Sequence, residues 1–349
     1  MNLADLNKVA LAMVTPGKGI LAADESSGTI KKRFDAINVE STEETRRDYR
    51  EMLFRSTEAM SKYVSGVILY DETIWQNAKD GTPLVKLIEQ AGSIPGIKVD
   101  EGTQALPQCP GELVTVGLDK LAERLKKYYE RGARFAKWRA VIDIGSADRR
   151  SIPTMTAISV NAHALARYAA LCQAAQIVPI VEPEVLMDGD HDIDRCYEVT
   201  QRVLNKTFQE LRIQRVELEG MVLKPNMAIA GKKCARQASV EEVAEKTVRL
   251  LKACVPAAVP GIAFLSGGQS DEGATAHLDA MNKIGGLPSS LPWKLTFSYG
   301  RALQAAPQKA WSGKAENIAA GQRAFTHRAR MNALASKGEW EAGLEKKVA

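Results

Sequence analysis

The chain has 349 residues, 45% of them hydrophobic and 26% charged, enough for two average domains or one large α/β barrel. Its formal net charge of +5 suits anionic small molecules, and because the basic residues are interleaved with acids, as in Leu121–Arg131, it argues against a nucleic-acid surface. Five cysteines without CxxC spacing read as reduced thiols, and MNLADLNKVA has neither a signal pattern nor any run of membrane-spanning length, so a soluble cytoplasmic protein is expected.

Eight apolar runs recur along the chain, each ending in polar residues and followed by a helical pattern. In order they are Gly19–Asp24, Val64–Asp71, Ile94–Asp100, Phe135–Ile142, Ile177–Glu184, Gly220–Lys224, Gly261–Gly268 and Trp293–Gly300. The intervening helices carry start and stop signals. Ser41 with Glu44 and Ser239 with Glu242 have capping-box spacing, and Leu118, Leu121, Leu125 and Tyr128 or Tyr129 keep a helical period until Gly132. No Pro/Gly/Ser linker or charge block divides the chain. Alternation of this kind predicts a single (β/α)8 barrel over residues 1–349, with a tail from about 336. A doubly wound sheet is the other arrangement, since counting runs does not establish closure.

A barrel collects function at the C-terminal ends of its strands. Those ends carry Asp24, Asp71, Glu72, Lys98, Lys137, Arg139, Glu182, Glu184, Lys224, Ser266 and Arg301. Period two puts Lys137 and Arg139 on one face of their strand, and Glu182 and Glu184 on one face of the next. In EGMVLKPN, Lys224 ends a buried run and is held extended by Pro225. Several lysines at one rim are expected to lower one another's proton affinity, which would leave a nucleophilic amine near pH 7. Such an amine attacks a ketone to form a Schiff base. Glu182 and Asp24 are the candidates to shuttle the dehydration proton and to take the departing hydroxyl proton. The glycine-containing turns SGGQS (Ser266–Ser270) and SYGR (Ser298–Arg301) offer backbone N–H groups to a phosphate. The residues therefore point to a lysine-based lyase acting on a phosphorylated ketone.

Competing motifs are weaker. LSGGQS occurs without the GxxxxGK[ST] loop that an ATPase needs, and GKGILA precedes a strand instead of following one. DGDHDID lacks the closing glutamate of a calcium loop and reads as an acidic helix start. His163, His191, His277 and His327 show no ligand pairing, so no metal and no cofactor are expected.

From about Thr15 to about Ala335 the chain resembles the class I fructose-bisphosphate aldolases. The matching blocks include PGKGILAADES, GIKVD, FAKWR, IVPIVEPE, LKPNM, FLSGGQS and LTFSYGRALQ. The resemblance implies reversible, metal-independent cleavage of fructose 1,6-bisphosphate to dihydroxyacetone phosphate and glyceraldehyde 3-phosphate. It puts the Schiff-base lysine on Lys224, the dehydrating glutamate on Glu182 and the C4-hydroxyl base on Asp24. Lys137 and Glu184 join these as catalytic residues. Lys98, Arg139, Ser266, Gly267, Gly268, Gly300 and Arg301 would bind substrate and its phosphate at one end, with Ser26, Lys32 and Arg33 near the other. It also implies a homo-oligomer, a tetramer as in the family, with a phosphorylated sugar as partner and neither membrane nor nucleic acid. Two departures stand out: Glu101 where many members have lysine, and an end in LEKKVA without the terminal tyrosine of animal members. The second implies slower proton exchange on the enamine, or another group in that role. Sedoheptulose 1,7-bisphosphate or fructose 1-phosphate as preferred ketose, and a non-catalytic sugar-phosphate-binding barrel, are the alternatives.

Overall fold

The computed structural model describes residues 2–145, 152–284 and 290–346; residues 347–349 of the tail lie outside it. Ten strands form among the described residues. They are β1 (Gly19–Ala23), β2 (Val64–Leu69), β3 (Ile94–Lys98), β4 (Thr103–Ala105), β5 (Leu113–Thr115), β6 (Phe135–Ile142), β7 (Val178–Val185), β8 (Val222–Leu223), β9 (Gly261–Phe264) and β10 (Lys294–Tyr299). Eight of them close a parallel barrel in the order β1-β10-β9-β8-β7-β6-β3-β2. This settles the choice left by run counting: the sheet is a (β/α)8 barrel, and each barrel strand falls within one of the eight apolar runs or a residue beyond its end.

Two apolar layers build it. The outer layer packs residues such as Leu21, Val67, Trp138, Val181 and Leu223 against the surrounding helices. The inner layer joins Ile20, Ile68, Phe135, Val178, Ile180, Val222 and Ala263 to Leu6, Ala10 and Met13 of the helix Leu3–Met13. That helix starts on the Asn2 side chain, which accepts from the Ala4 and Asp5 N–H groups, and its apolar face plugs the N-terminal end of the barrel. Because side chains alternate, each strand's inward row is fixed by its first members. On β7 the row runs Val178, Ile180, Glu182, Glu184; on β6 it runs Phe135, Lys137, Arg139. Apolar at the bottom and charged at the top, these rows put the chemistry at one rim.

The Phe135 ring fills the barrel floor only because two neighbours lack a side chain. A Cβ on Gly96 would lie 2.3 Å from the ring and one on Gly66 2.9 Å. Gly96→Ala is expected to destabilise the protein by about 2 kcal/mol or more through overpacking, and much less in a Phe135→Leu background. Urea unfolding of the two single variants and the double variant measures this.

Three local expectations change. The helix Glu43–Phe54 is capped by Thr42, reciprocally with Thr45, and not by Ser41 with Glu44, because Thr42 is the residue whose extended backbone aims its hydroxyl at the Thr45 N–H. Ser239 does cap its helix, accepting from the Glu242 N–H at 3.2 Å. The sixth barrel strand is only two residues long, since Leu218–Gly220 forms a 3-10 turn and Pro225 ends the ladder. The Asn226 side chain takes over from there, accepting from the Val185 N–H at 3.0 Å. Finally, β4 and β5 form an antiparallel hairpin that no apolar alternation announced.

Candidate active site

The C-terminal rim encloses a cavity of about 630 Å³, a size suited to a small-molecule ligand. Strand register decides which charges meet there. Lys98 on β3 pairs with Lys137 on β6, and Arg139 pairs with Glu182 on β7. Lys224 leaves β8 with its N–H donating to the Val181 carbonyl at 2.8 Å, and its side chain lies beside Glu182. Four cations and four carboxylates then interleave, all but Arg139 largely buried. Lys224 Nζ lies 3.3 Å from Glu182 Oε1, Lys137 Nζ 2.8 Å from Asp24 Oδ2, and Lys98 Nζ 3.0 Å from Asp100 Oδ1, while Arg139 is bonded to Glu184. Lys137 is shared further, at 3.7 Å from both Asp100 and Glu182.

The pairing corrects one expectation. Lysines gathered at one rim are expected to lower one another's pKa. For Lys137, burial does act in that direction, but attraction to Asp24, Asp100 and Glu182 outweighs it and raises its pKa. Burial would likewise raise the Asp24 carboxyl, yet the charges of Lys137 and Lys224 hold it at about 2. Burial also acts to lower Arg139, but the Glu184 carboxylate wins and raises it. At neutral pH the Asp24–Lys137 pair is therefore fully ionised.

Around this centre lie two cationic walls. On one, Ser266 and Gly267 follow β9, and Gly300 and Arg301 follow β10 at the N-terminus of the helix Arg301–Trp311, where backbone N–H groups are unspent. Arg301 is parked on the Gln269 carbonyl and, at 3.4 Å, on Asp271. On the other wall, Ser26 caps the helix Ser27–Asp35, and Arg33 on that helix is bonded to the buried Glu25. Glu25 is itself held, its Oε1 accepting from Gln304 Nε2 at 2.7 Å and its carbonyl from Arg50 at 2.9 Å.

Of the residues singled out in the sequence, Asp24, Ser26, Arg33, Lys98, Lys137, Arg139, Glu182, Glu184, Lys224, Ser266, Gly267, Gly300 and Arg301 line this one cavity. Two do not. Lys32 is exposed and off the wall, because one helical step turns it about 100° from Arg33. Gly268 faces away, with φ +78° and its missing Cβ position only 2.6 Å from Met187, so its role here is close backbone approach. Sequence reasoning passed over Asp100 and Glu25, which also line the cavity, as does Ser298 of the SYGR turn. Asp100 stood within GIKVD and Glu25 within AADES, so the blocks were seen but not these members of them. Among the described residues no group of His, Cys, Asp and Glu is arranged to hold a metal ion, and no helix is long and apolar enough to cross a membrane. DGDHDID is the helix start it resembled, with Asp192 capping the helix Ile193–Ile213.

Comparison with known proteins assigns this rim. The model of the class-I fructose-bisphosphate aldolase family matches residues 5–349. The chain belongs to that family. It is 57% identical over 342 residues to a probable fructose-bisphosphate aldolase class 1 of Xanthomonas campestris, covering 98% of this chain and all of that one. With fructose-bisphosphate aldolase 1 of Toxoplasma gondii it shares 54% over 339 residues, 97% of this chain and 92% of the relative. A solved structure of the Plasmodium falciparum aldolase superposes with a TM-score of 0.94 at 48% identity, covering 98% of this chain and 96% of that one. This aldolase cleaves fructose 1,6-bisphosphate reversibly to dihydroxyacetone phosphate and glyceraldehyde 3-phosphate.

Proposed function

We propose that this cavity carries out the cleavage through a Schiff base on Lys224. The supporting observation is the buried Lys224–Glu182 contact at 3.3 Å, with Lys137 bridging from Glu182 to Asp24. Lys224 passes its ammonium proton to the Glu182 carboxylate 3.3 Å away, and the freed Nζ adds to the C2 carbonyl. Glu182 gives a proton to the carbinolamine hydroxyl, which leaves as water. In the resulting iminium, Asp24 takes the C4 hydroxyl proton, the C3–C4 bond breaks, and its electron pair passes into C2–C3 as the iminium nitrogen accepts electrons. Glyceraldehyde 3-phosphate departs. Return of that proton from Asp24 to C3, followed by hydrolysis of the iminium, releases dihydroxyacetone phosphate and restores the lysine. Lys137 supplies positive charge next to the oxygens that gain negative charge, and Glu184 fixes Arg139 against the substrate. Lys98 and Arg139 bind the sugar, and the phosphates rest on Ser266, Gly267, Gly300 and Arg301 at one end and on Ser26 and Arg33 at the other.

Borohydride trapping tests the assignment. Reduction in the presence of dihydroxyacetone phosphate should add the triose phosphate mass to the peptide containing Lys224. An adduct on another lysine, or none at all, would refute it.

The two-ended phosphate arrangement makes a further prediction. Arg33→Ala should raise KM for fructose 1,6-bisphosphate by about tenfold or more, the value of a charge-assisted phosphate contact, while leaving KM for fructose 1-phosphate within about twofold. Steady-state kinetics on both substrates reads this out, and an equal rise on both would move Arg33 away from the second phosphate. We also propose that the enzyme works in the cytoplasm as a homo-oligomer, a tetramer by likeness to its family; sedimentation of the purified chain tests the assembly.

A further inference from the structure

We propose that Asp100 is a positioning residue of the reaction, holding the ammonium groups of Lys98 and Lys137 on its two carboxylate oxygens. The proposal rests on the Schiff-base reading above. Its starting point is the register: β3 and β6 set the partly buried Lys98 directly beside the buried Lys137, so the strands alone would bring two ammonium groups together. Asp100 follows two residues after Lys98 and separates them. Its Oδ1 lies 3.0 Å from Lys98 Nζ, which also donates to the Asp100 carbonyl at 2.9 Å, and its Oδ2 lies 3.7 Å from Lys137 Nζ. The carboxylate is anchored in turn. The Arg139 N–H donates to Oδ2 and the Gly102 N–H to Oδ1, both at 3.4 Å, and the side chain is only 5% exposed.

The consequence falls on Asp24. Lys137 is faced by Asp24 from the end of β1, by Asp100 from beyond β3, and by Glu182 from β7, with Lys98 and Lys224 as the neighbouring cations. Arg139 and Glu184 are paired with each other alongside. Asp24 must accept the C4 hydroxyl proton, and the Lys137 ammonium already makes it a weak base. Asp100 takes a share of that ammonium. Without its charge, Lys137 is left to Asp24 and Glu182 and grips Asp24 more firmly, while Lys98 loses its carboxylate partner. Carbon–carbon cleavage should therefore suffer, and formation of the iminium from dihydroxyacetone phosphate, which does not use Asp24, should not.

Asp100→Asn keeps the shape and removes the charge. Two measurements on one preparation test the proposal: borohydride-trapped adduct per chain with dihydroxyacetone phosphate, and kcat for cleavage of fructose 1,6-bisphosphate. We expect wild-type adduct stoichiometry on Lys224 with kcat lower by about 10- to 100-fold, the scale of a misplaced catalytic group. The trapped adduct also certifies that the variant is folded. A fall in kcat of less than about tenfold would overturn the proposal, as would adduct and cleavage falling together, which is the mark of a merely structural residue. If the wild-type protein itself gives no adduct on Lys224, it is the underlying Schiff-base assignment that fails.

Discussion

Lys224→Met is expected to lose cleavage activity by at least about 10⁵-fold, close to 7 kcal/mol of barrier at about 1.4 kcal/mol per factor of ten. The size follows from what is removed. In the mechanism proposed above, every other group at the rim orients, protonates or neutralises, and only Lys224 supplies the nitrogen that bonds to C2 and draws off the C3–C4 electron pair. Methionine is of similar length and unbranched, so the end of β8 can stay filled, and the backbone of residue 224 keeps its bond to Val181. The variant does leave Glu182 without its nearest ammonium, but Lys137 remains 3.7 Å away to share the charge. A coupled triose phosphate assay, with thermal unfolding beside it, checks the prediction. A folded variant retaining even about 1% of the wild-type kcat would exclude Lys224 as the nucleophile.

The fold was legible because burial in a barrel leaves a pattern in each strand separately. The row Val178, Ile180, Glu182, Glu184 states by itself which residues face inward and at which level they turn polar. Eight such rows give a rim of charges. What no single row states is which charge meets which. Glu25 and Gln304 are 279 positions apart and touch only because β1 and β10 close the barrel. Asp100 looks like the first residue of a loop until the register puts Lys137 next to Lys98. For the same reason the sequence suggests a rim of repelling lysines, when each lysine in fact has its own carboxylate. Lys32 and Arg33 both come from the resemblance, but on a helix sequence neighbours face different ways, and only Arg33 lines the cavity. The hairpin of β4 and β5 escaped notice because three-residue strands are too short to show alternation, although its Thr115 hydroxyl donates to the Arg139 carbonyl at 2.8 Å and so steadies the rim.

Glu182→Gln separates proton transfer from nucleophilic attack. Its neutral amide fits the same space and can still accept from Lys224, so substrate positioning should survive. What it cannot do is deliver a proton to the carbinolamine hydroxyl, and removal of a positioned general acid costs about 10²- to 10⁴-fold. The loss of negative charge acts in addition, since Lys137 then leans on Asp24 and Asp100 alone. We expect kcat to fall within that range while the rate of adduct formation with dihydroxyacetone phosphate, followed by borohydride quenching at successive times, falls by the same factor. The final amount trapped should still approach one per chain, because dehydration is slowed and not abolished. If cleavage slows while adduct formation keeps its wild-type rate, Glu182 acts after the iminium has formed, and the dehydrating proton must come from another group at the rim. Asp24 is a poor source, because a carboxyl held at about 2 is almost never protonated at neutral pH. The Lys137 ammonium, 3.7 Å from Glu182, and water admitted through the open rim would then be the remaining donors.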